Sequence, residues 1–449
     1  MQVRFGLNSA KLRDGVELPV IWDSQKVING HMLIVGKSGT GKTYSLKNII
    51  DQLKAQVAPG RFRVHIMDVH GDIDIPGASI VKFSESTQYG FNPLAINPDP
   101  DFGGVRKKIQ SFLAAINRTS RKLGSKQESS LRNILMDLYS ANGFYDGKPE
   151  SWKTKNEKGE ILNWHGKNKK HPTLEDAYRY ANFKMKAMFL GTNSRAVATL
   201  ELLNKKALNI YAKAKQQHKV HYQDEMEKLK VDLKNLGEEA VELYQEYIHS
   251  IQNGMELNDL IRYDSKDVLK SVVERLENLN AVGIFKPEPP PFDRTKAIWR
   301  YDIKALSLDE KKLFVSFVLE EIFLRALQKG IQDDIKQVIV LDEAHLFFND
   351  DPDNITNIIA KEARKFGIGL FCASQSPTHF SDDFISNVGT KIILGIDQMY
   401  WDGSVRKLKI EQQALEWIQP QHKMVMQMNT KGELKNRFVW VQLDKNNNK

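Results

Sequence analysis

Apolar residues along the chain follow two patterns, which occupy different parts of the sequence. Short apolar runs bounded by polar residues, glycine or proline occur near both ends, for example at 32–35, 62–67, 337–341 and 368–373. Such runs are typical of strands that are buried on both faces of a parallel sheet. Between the early and late runs, apolar residues step by three and four, the period of amphipathic helices. We therefore predict an α/β fold with a parallel central sheet and a large, mainly helical insertion.

The order of these patterns predicts how the chain is divided. Strands are expected at 31–35, 61–68, 297–306, 337–341, 368–373, 390–396, 423–428 and 436–442, with one or two more in 1–30 beside the first of these. Helices are expected after the first strand, over 104–142, 173–252, 268–279 and 309–329, and before Phe366. A strand, helix and strand at this spacing form a βαβ unit, whose strands are parallel. We predict a core of 1–100 and 265–449 around an insertion of 101–264.

The segment after the first buried strand fits the phosphate-binding pattern G-x-x-x-x-G-K-[ST] without a mismatch. A glycine loop that leads into a helix N-terminus binds phosphate, because unpaired N–H groups and the helix dipole face the anion. Lys42 is expected to reach the β- and γ-phosphates of a nucleoside triphosphate, and the Thr43 hydroxyl to bind Mg²⁺. An ordinary glycine turn is the alternative, but the flanking strand and helix favour a nucleotide site. The predicted nucleotide-binding residues are Gly36, Ser38, Gly39, Thr40, Gly41, Lys42, Thr43 and Tyr44.

Two acids follow a buried strand in the second half of the chain. Asp342 is expected near the Mg²⁺ shell, and Glu343 is expected to activate the attacking water as a general base. Gln375 follows the next strand, where an amide can contact the γ-phosphate or the water. His345 is expected to have a structural role. These residues predict hydrolysis of the bound nucleotide.

A third strand end carries the polar segment Asp68-Val69-His70-Gly71-Asp72. One interpretation is a polar turn that contains a glycine. The other is a loop at the carboxyl end of the sheet, where ligands of open α/β folds bind. The sequence leaves both open.

Composition limits the class of protein. The 449 residues are 41% hydrophobic and 27% charged, as in a soluble globular protein. No apolar run approaches the roughly 18 residues that cross a membrane, and the N-terminus lacks the apolar stretch of an export signal. Cys372 is the only cysteine, so an internal disulfide is excluded and a reducing cytoplasm is expected. The net charge of +9 permits a polyanionic partner such as nucleic acid.

A lysine-rich excursion at 147–171 interrupts the helical pattern of the insertion. It contains seven lysines, three glutamates and two tryptophans. Lysines interleaved with aromatic residues can follow a nucleic-acid backbone. A solvated, flexible excursion is an equally good interpretation. If DNA is bound, the candidate cations are those of Lys148 to Lys170 and the cluster Arg118, Arg121, Lys122 and Lys126.

Taken together, the motifs resemble the HerA branch of the HerA/FtsK ATPases. The resemblance rests on the phosphate loop, the segments 68–72 and 342–345, the run Glu362 to Leu370, and Ala373-Ser374-Gln375. It covers roughly 31–100 and 265–400 and is diffuse in the insertion. It implies a RecA-like P-loop NTPase fold in which Lys42, Thr43, Asp342, Glu343 and Gln375 form the active site.

The resemblance also implies partners. Members of the branch assemble as hexameric rings and pump double-stranded DNA, and many work with a nuclease or another effector. Arg364 matches the arginine that enters the neighbouring subunit's site, although an ion pair with Glu362 or Asp342 in its own chain is an alternative. Members usually carry a β-barrel before the phosphate loop, and the 35 residues that precede Gly36 here predict that a full barrel is missing. An ATP-gated ring that assembles or switches an effector, for example in antiviral defence, remains an alternative to a translocating motor.

Overall fold

The computed structural model describes residues 1–57, 60–119, 122–190, 202–209, 223–250, 261–433 and 436–444. The chain packs into two compact units. We call Met1–Phe91 with Lys286–Lys449 the sheet unit, and Asn92–Phe285 the insertion unit. The chain returns to the sheet unit next to the proline-rich segment 287–291. A separate domain at 101–264 stays a prediction.

The sheet unit is built on one sheet of eleven strands. These strands are β1 (Gln2–Asn8), β2 (Pro19–Asp23), β3 (Met32–Gly36), β4 (Arg63–Asp68), β5 (Ser79–Lys82), β8 (Ile298–Asp302), β9 (Gln337–Leu341), β10 (Ile368–Ser374), β11 (Thr390–Gly395), β12 (Lys423–Met428) and β13 (Val439–Gln442). Two further short strands, β6 (Asn163–Trp164) and β7 (Lys167–Asn168), form a hairpin in the insertion unit. The sheet order is β2-β1-β13-β12-β11-β3-β10-β9-β4-β8-β5.

Seven neighbouring strands of this sheet, from β11 to β5, are parallel. The remaining four, β12, β13, β1 and β2, add to one side as antiparallel strands. The predicted α/β class with a mostly parallel central sheet is therefore confirmed. Because parallel strands all point the same way, the loops after β3, β4, β9 and β10 lie together at the end of the sheet where these strands finish. We call this end the carboxyl edge, and the end where the strands begin the opposite edge.

Burial on both faces explains why these segments form strands. Every residue of β3, β9 and β10 is buried, so their apolar runs satisfy the two faces at once. On one face, Met32 and Ile34 pack with Leu46, Ile49 and Ile50 of the first long helix. Those helix positions repeat at three and four residues, as the sequence pattern requires.

The sheet unit has seven described α-helices, one of which is shorter than the sequence pattern predicts. They are α1 (Ser9–Arg13), α2 (Lys42–Ala55), α9 (Leu308–Gln328), α10 (Ile355–Glu362), α11 (Asp382–Asn387), α12 (Trp401–Leu408) and α13 (Gln412–Trp417). The helix expected to reach Phe366 ends at Glu362, and a 3₁₀ turn, Ala363–Phe366, follows it. Gly367, with φ +72°, then turns the chain into β10, which a longer α-helix would not allow.

The N-terminal strands are not where the sequence suggested. Both β1 and β2 form, but β1 pairs with β13 and β2 pairs with β1, so neither lies beside the phosphate-loop strand. The two places next to β3 are taken by β10 and β11, whose sequences are buried on both faces. The first strand instead contacts α2, where Gln52 Oε1 accepts from Arg4 N.

The insertion unit is mainly helical, as predicted. Its described helices are α3 (Val105–Thr119), α4 (Ser125–Ala141), α5 (Leu174–Leu190), α6 (202–209), α7 (Gln223–Ser250) and α8 (Lys266–Ala281). The lysine-rich excursion folds as a 3₁₀ turn, Pro149–Trp152, and the β6–β7 hairpin. Trp152 is 6% exposed and its Nε1 donates to Tyr145 O. Trp152 therefore anchors one end of the segment in the unit's core, whereas most of 153–168 is exposed, and both interpretations of the excursion stay predictions.

Candidate functional site: a nucleotide site at the carboxyl edge

The phosphate loop connects β3 to α2 with a geometry that requires glycine. Gly39 and Gly41 have φ +80° and +96°, in the left-handed region that glycine favours. At position 36 a Cβ would lie 2.3 Å from Thr40 Oγ1, so a larger residue does not fit. The loop leads directly into α2, whose first N–H groups have no acceptor within the helix. This is the anion-binding arrangement that the sequence predicts.

Lys42 lies folded over this loop. Its Nζ donates to Gly36 O at 2.7 Å and lies 3.4 Å from Lys37 O. Both acceptors are backbone carbonyls of the loop itself, and no carboxylate pairs with this ammonium among the described residues. A phosphate that enters the loop therefore meets a cation already positioned there.

Asp342 follows β9 and is buried. Its Oδ2 has no hydrogen-bond partner within the described part of the chain. Burial, followed by the neighbouring Glu343, raises the pKa of Asp342 to about 7. A buried carboxylate in this state is costly unless a cation or a donor compensates it.

Glu343 has a strained backbone. Its φ of +45° and ψ of +48° are left-handed, which a side chain with a Cβ rarely adopts. Its Oε2 is also buried without a hydrogen bond to a described residue. Such strain costs on the order of 1–3 kcal/mol and is concentrated at functional sites. This left-handed residue is the second after β9, so the chain turns away from the strand direction at the carboxyl edge.

Two histidines flank the Glu343 carboxylate. His345 Nδ1 is 3.3 Å from Oε2, and His70 Nε2 is 3.9 Å from Oε1. Burial lowers the pKa of His345 from its ordinary value, although Glu343 acts in the opposite direction. The expectation that His345 has a structural role stays a prediction, and its contact with Glu343 places it beside the predicted base.

The segment after β4 is a loop at the carboxyl edge and contributes a second acidic group. Asp68 is fully buried and accepts from Gly71 N at 2.7 Å, from Ile73 N at 3.0 Å and from Arg300 Nε at 2.7 Å. These bonds hold the loop so that the exposed Asp72 lies close to Asp342. One carboxylate oxygen from each of Asp68, Asp72 and Asp342 lies within 4.8 Å of the other two.

This donor set fits a hard divalent cation. Mg²⁺ prefers oxygen ligands and usually keeps several waters, so one or two carboxylates suffice. Asp68 already has Arg300 as its counter-charge, whereas the buried Asp342 oxygen has no partner in the described residues. The strand of Asp342 is separated from the phosphate-loop strand by β10 alone, about 10 Å in all. Thr43 and Asp342 are the residues that would hold the ion near the phosphates.

Gln375 is exposed and follows β10 directly. Because β10 pairs with both β3 and β9, this side chain leaves the sheet between the phosphate loop and the acidic pair. The structure thus brings the predicted glutamine to the same edge as Lys42, Asp342 and Glu343. Its role toward the γ-phosphate stays a prediction.

Arg364 lies at the opposite edge of the sheet. It precedes β10, whose first residue pairs with Gln337, the first residue of β9. Burial, and after it the Arg364 charge, lowers the pKa of His31 just before β3 to about 4. Arg364 is exposed and forms no ion pair with another described residue. The alternative ion pair of Arg364 with Glu362 or Asp342 therefore does not form in this structure.

The candidate DNA-binding cations all belong to the insertion unit. Lys126 is exposed and lies 3.6 Å from Asp264, in a pair that solvent screens. Lys122 is exposed, and Arg121 lies outside the described residues. DNA binding by these residues stays a prediction.

Sequence reasoning missed the contacts that support the site. The pairing of Asp68 with Arg300 joins strands β4 and β8, far apart in sequence, and β8 has no motif that marks Arg300. The approach of His70 to Glu343 also depends on strand order. The only available signal was the histidine and glycine that follow Asp68, which made that loop a candidate.

The fold and the site together define a P-loop ATPase. The chain also has the overall fold of VirB4 from Thermoanaerobacter pseudethanolicus, with a TM-score of 0.59 and 14% identity over 99% of this chain and 96% of that one. None of the helices in the described part of the chain has the length and apolar character of a membrane span.

The chain belongs to the HerA helicase family. The family model for the central domain of helicase HerA matches residues 8–322, and the model for the HerA-like C-terminal domain matches 304–401. The DNA double-strand break repair helicase HerA of Saccharolobus solfataricus is 26% identical over 163 residues, which cover 35% of this chain and 28% of that protein. The protein of the same name from Sulfurisphaera tokodaii is 30% identical over 144 residues, covering 30% and 29%. The matches thus span less than a third of these relatives.

Proposed function

We propose that this chain is an ATP-hydrolysing, HerA-like motor that binds double-stranded DNA and translocates along it as a homohexamer, together with a nuclease or another effector. The observation that carries the proposal is the buried pair Asp342 and Glu343 at the edge of the phosphate loop. Each keeps a carboxylate oxygen without a hydrogen-bond partner among the described residues. Buried charges of this kind are retained where a cation and a reacting group compensate them.

Each residue has its own task in hydrolysis. Lys42 exchanges its loop carbonyls for the β- and γ-phosphates and neutralises part of their charge. Glu343 accepts a proton from the water that attacks the γ-phosphorus, while the bond to the β–γ bridging oxygen breaks and ADP leaves. Mg²⁺, when bound by Thr43 and Asp342, supplies positive charge to the phosphates. Gln375 orients the water or the γ-phosphate from the strand between them.

The hexamer is supported by the position of Arg364. A second cation at the γ-phosphate contributes roughly 10³–10⁵ in rate in P-loop enzymes. Arg364 lies at the edge of the sheet opposite its own phosphate loop, so it serves a nucleotide only in another copy of the chain. Contacts in which one face of a subunit meets a different face of the next generate rings when they close.

Double-stranded DNA as the substrate is supported by the net charge of +9 and by the relatives, which are named as helicases of DNA double-strand break repair. Lysines and arginines that neutralise phosphates release counterions, so such binding is independent of sequence and weakens steeply with salt.

The test is the ATPase rate with and without linear duplex DNA, with Glu343→Gln as the inactive control. We expect the duplex to stimulate turnover, and the stimulation to be lost between about 50 mM and about 200 mM salt. Turnover that ignores duplex DNA at low salt would contradict a DNA motor and favour an ATP-gated ring that switches an effector. Turnover equal to that of Glu343→Gln would contradict the active site itself.

A further inference from the structure

The insertion unit contains a cleft that the nucleotide site does not use. Its volume is about 650 Å³, inside the roughly 300–1,000 Å³ of sites for small molecules and cofactors. The walls come from the end of α4, the β6–β7 hairpin, the residues that follow it, and the first half of α5. The lining carries three lysines and Arg179 against one acid, Asp176.

The cations in the cleft are available to an anion. Lys167 and Lys170 are exposed, and neither ammonium forms an ion pair with another described residue. Arg179 pairs with Glu175 one helical turn away, in an exposed contact that contributes little. The acid Asp176 is already committed, because it accepts from Thr173 N and Oγ1 at the start of α5. The cleft is therefore a site of net positive charge.

Aromatic rings lie beside these cations. The Trp164 indole packs on Gly143, where a Cβ would lie 2.6 Å from its ring, and its Nε1 donates to Ala141 O. This tryptophan is held in place before any ligand binds. Phe183 lines the same cleft from α5 and is 40% exposed. A fixed indole and an exposed phenyl ring beside lysines suit a ligand that has both a negative charge and a planar ring system.

A buried polar atom in the cleft wall also lacks a partner. His171 Nδ1 is buried and forms no hydrogen bond with the described residues. Burial, and then the nearby Lys169, lowers the pKa of His171 to about 4, so the ring is neutral at pH 7. Lys169 itself is held by Ser151 O at 2.6 Å and by the Phe144 ring. The His171 ring therefore adds no charge to the cleft.

We infer that this cleft binds an unpaired nucleotide unit, with its phosphate at Lys167 and Lys170 and its base against Phe183 and Trp164. A base inside a duplex has both faces stacked on its neighbours, so only an unpaired base is free to stack on a side chain. The nucleotide belongs to a single-stranded segment or strand end, or is a free mononucleotide with the same chemistry. Binding of an unpaired nucleotide goes beyond the proposed motor, because a protein that contacts the backbone of a duplex needs no pocket for a base.

Fluorescence anisotropy with a labelled oligothymidylate tests this directly, with a blunt duplex as the second probe and thymidine monophosphate as competitor. Phe183→Ala removes a stacking face and should weaken oligothymidylate binding about tenfold while leaving blunt-duplex binding unchanged. The matched control is Phe102→Ala, another exposed phenylalanine of the insertion unit (38% exposed) that does not line the cleft. It should bind both probes as the wild type does.

Two double variants that remove exposed lysines keep the test valid even when Phe183→Ala disturbs folding. Lys167→Ala with Lys170→Ala changes exposed side chains only and should weaken oligothymidylate binding at least as much as Phe183→Ala. Lys228→Ala with Lys230→Ala, on the exposed side of α7, is the matched control. Competition by thymidine monophosphate identifies a free nucleotide as a sufficient ligand, whereas its failure identifies a strand; both support the cleft.

The inference is overturned if the wild type does not bind oligothymidylate, or if both cleft variants bind it as tightly as their controls do. Equal losses for oligothymidylate and blunt duplex in Phe183→Ala would also overturn it, since stacking is then not involved. The result that would contradict the proposed motor is a different one. It is a loss of duplex-stimulated ATPase activity in the wild type, which leaves these binding ratios unaffected.

Discussion

At the carboxyl edge of the parallel strands, the sheet unit buries two acids beside a phosphate loop, whereas at the opposite edge it exposes an arginine. Asp342 and Glu343 lie at the first edge, and each has a carboxylate oxygen without a hydrogen-bond partner in the described residues. Arg364 lies at the second, without an ion pair to any described residue. The buried acids favour a cation at the first edge, whereas the exposed arginine at the second is free to contact an anion. The two ends of the parallel strands cannot meet within one chain, and the proposed hexamer would bring them together from neighbouring copies.

The largest expected effect comes from separating binding from chemistry at the carboxyl edge. Lys42→Ala should abolish nucleotide binding, because the ammonium provides the charge that meets the phosphates. Glu343→Gln should bind ATP as tightly as the wild type but turn it over on the order of 10²–10⁴ times more slowly. Equilibrium binding of a fluorescent ATP analogue, measured beside steady-state turnover, checks both. Wild-type turnover in Glu343→Gln would show that another group activates the water.

Arg364→Ala tests whether the opposite edge matters for catalysis at all. We expect turnover to fall by about 10³ or more, because a cation at the transferred phosphate contributes roughly that factor. ATP binding should be nearly unchanged, since the lysine of the phosphate loop is intact. The matched control is Lys365→Ala, the neighbouring exposed cation on the same turn. Equal small losses in both variants would indicate a general effect of charge.

A smaller effect is expected on the stability of the protein without ligands. The pKa of Asp342 is raised from 3.8 to about 7 in the folded chain, so folding loses stability as the pH rises through this window. Asp342→Asn removes the charge and should raise the Tm at pH 8 by roughly 2–4 °C, with no gain at pH 4. Thermal unfolding across this pH range measures it. A Tm difference that does not change with pH would mean that the charge at Asp342 is compensated.

Adding Mg²⁺ is the control for the same carboxylate. The ion should stabilise the wild type more at pH 8 than at pH 5, because the carboxylate must lose its proton to bind it. Asp342→Asn should gain less from the ion at pH 8.

The smallest expected effect reports where Arg364 lies. Its charge is the second cause, after burial, of the low pKa of His31, which is about 4. Arg364→Gln should therefore shift this pKa upward by a small amount, as seen in an NMR titration of the histidine ring. Lys365→Gln should leave it unchanged. An unchanged His31 in Arg364→Gln would mean that the arginine does not lie at this edge.

How much of the fold and the site could be predicted from the sequence depends on how far apart along the chain the contacting residues lie. The phosphate loop, the strand before Asp342 and the strand before Gln375 were predictable, because a buried strand and the residue after it are local features. The rule that parallel strands end at one edge then brought these residues together. The strand order was not predictable, and it put β1 and β2 away from β3. The bond between Asp68 and Arg300 and the left-handed turn at Glu343 also arise from packing between distant segments.

The insertion unit shows the same limit. Its helices follow from periodicity, but the cleft depends on Trp164 packing against Gly143, and the sequence gives no sign that these two residues meet. From the sequence alone, the excursion therefore has two equally good interpretations. Lysines and aromatic residues alone do not reveal whether they surround a cavity.

The most direct test of the completed site is a mixture of two inactive variants, Lys42→Ala and Arg364→Ala. If Arg364 acts in the neighbouring subunit, mixed assemblies contain some interfaces with an intact phosphate loop and an intact arginine, so ATPase activity should return. Mixing Lys42→Ala with Glu343→Gln is the control, because both residues belong to the same edge of one chain. That mixture should recover no activity, because every site then lacks either the lysine or the glutamate. A mixture of the first pair that exchanges subunits yet stays inactive would contradict a site completed by a second copy.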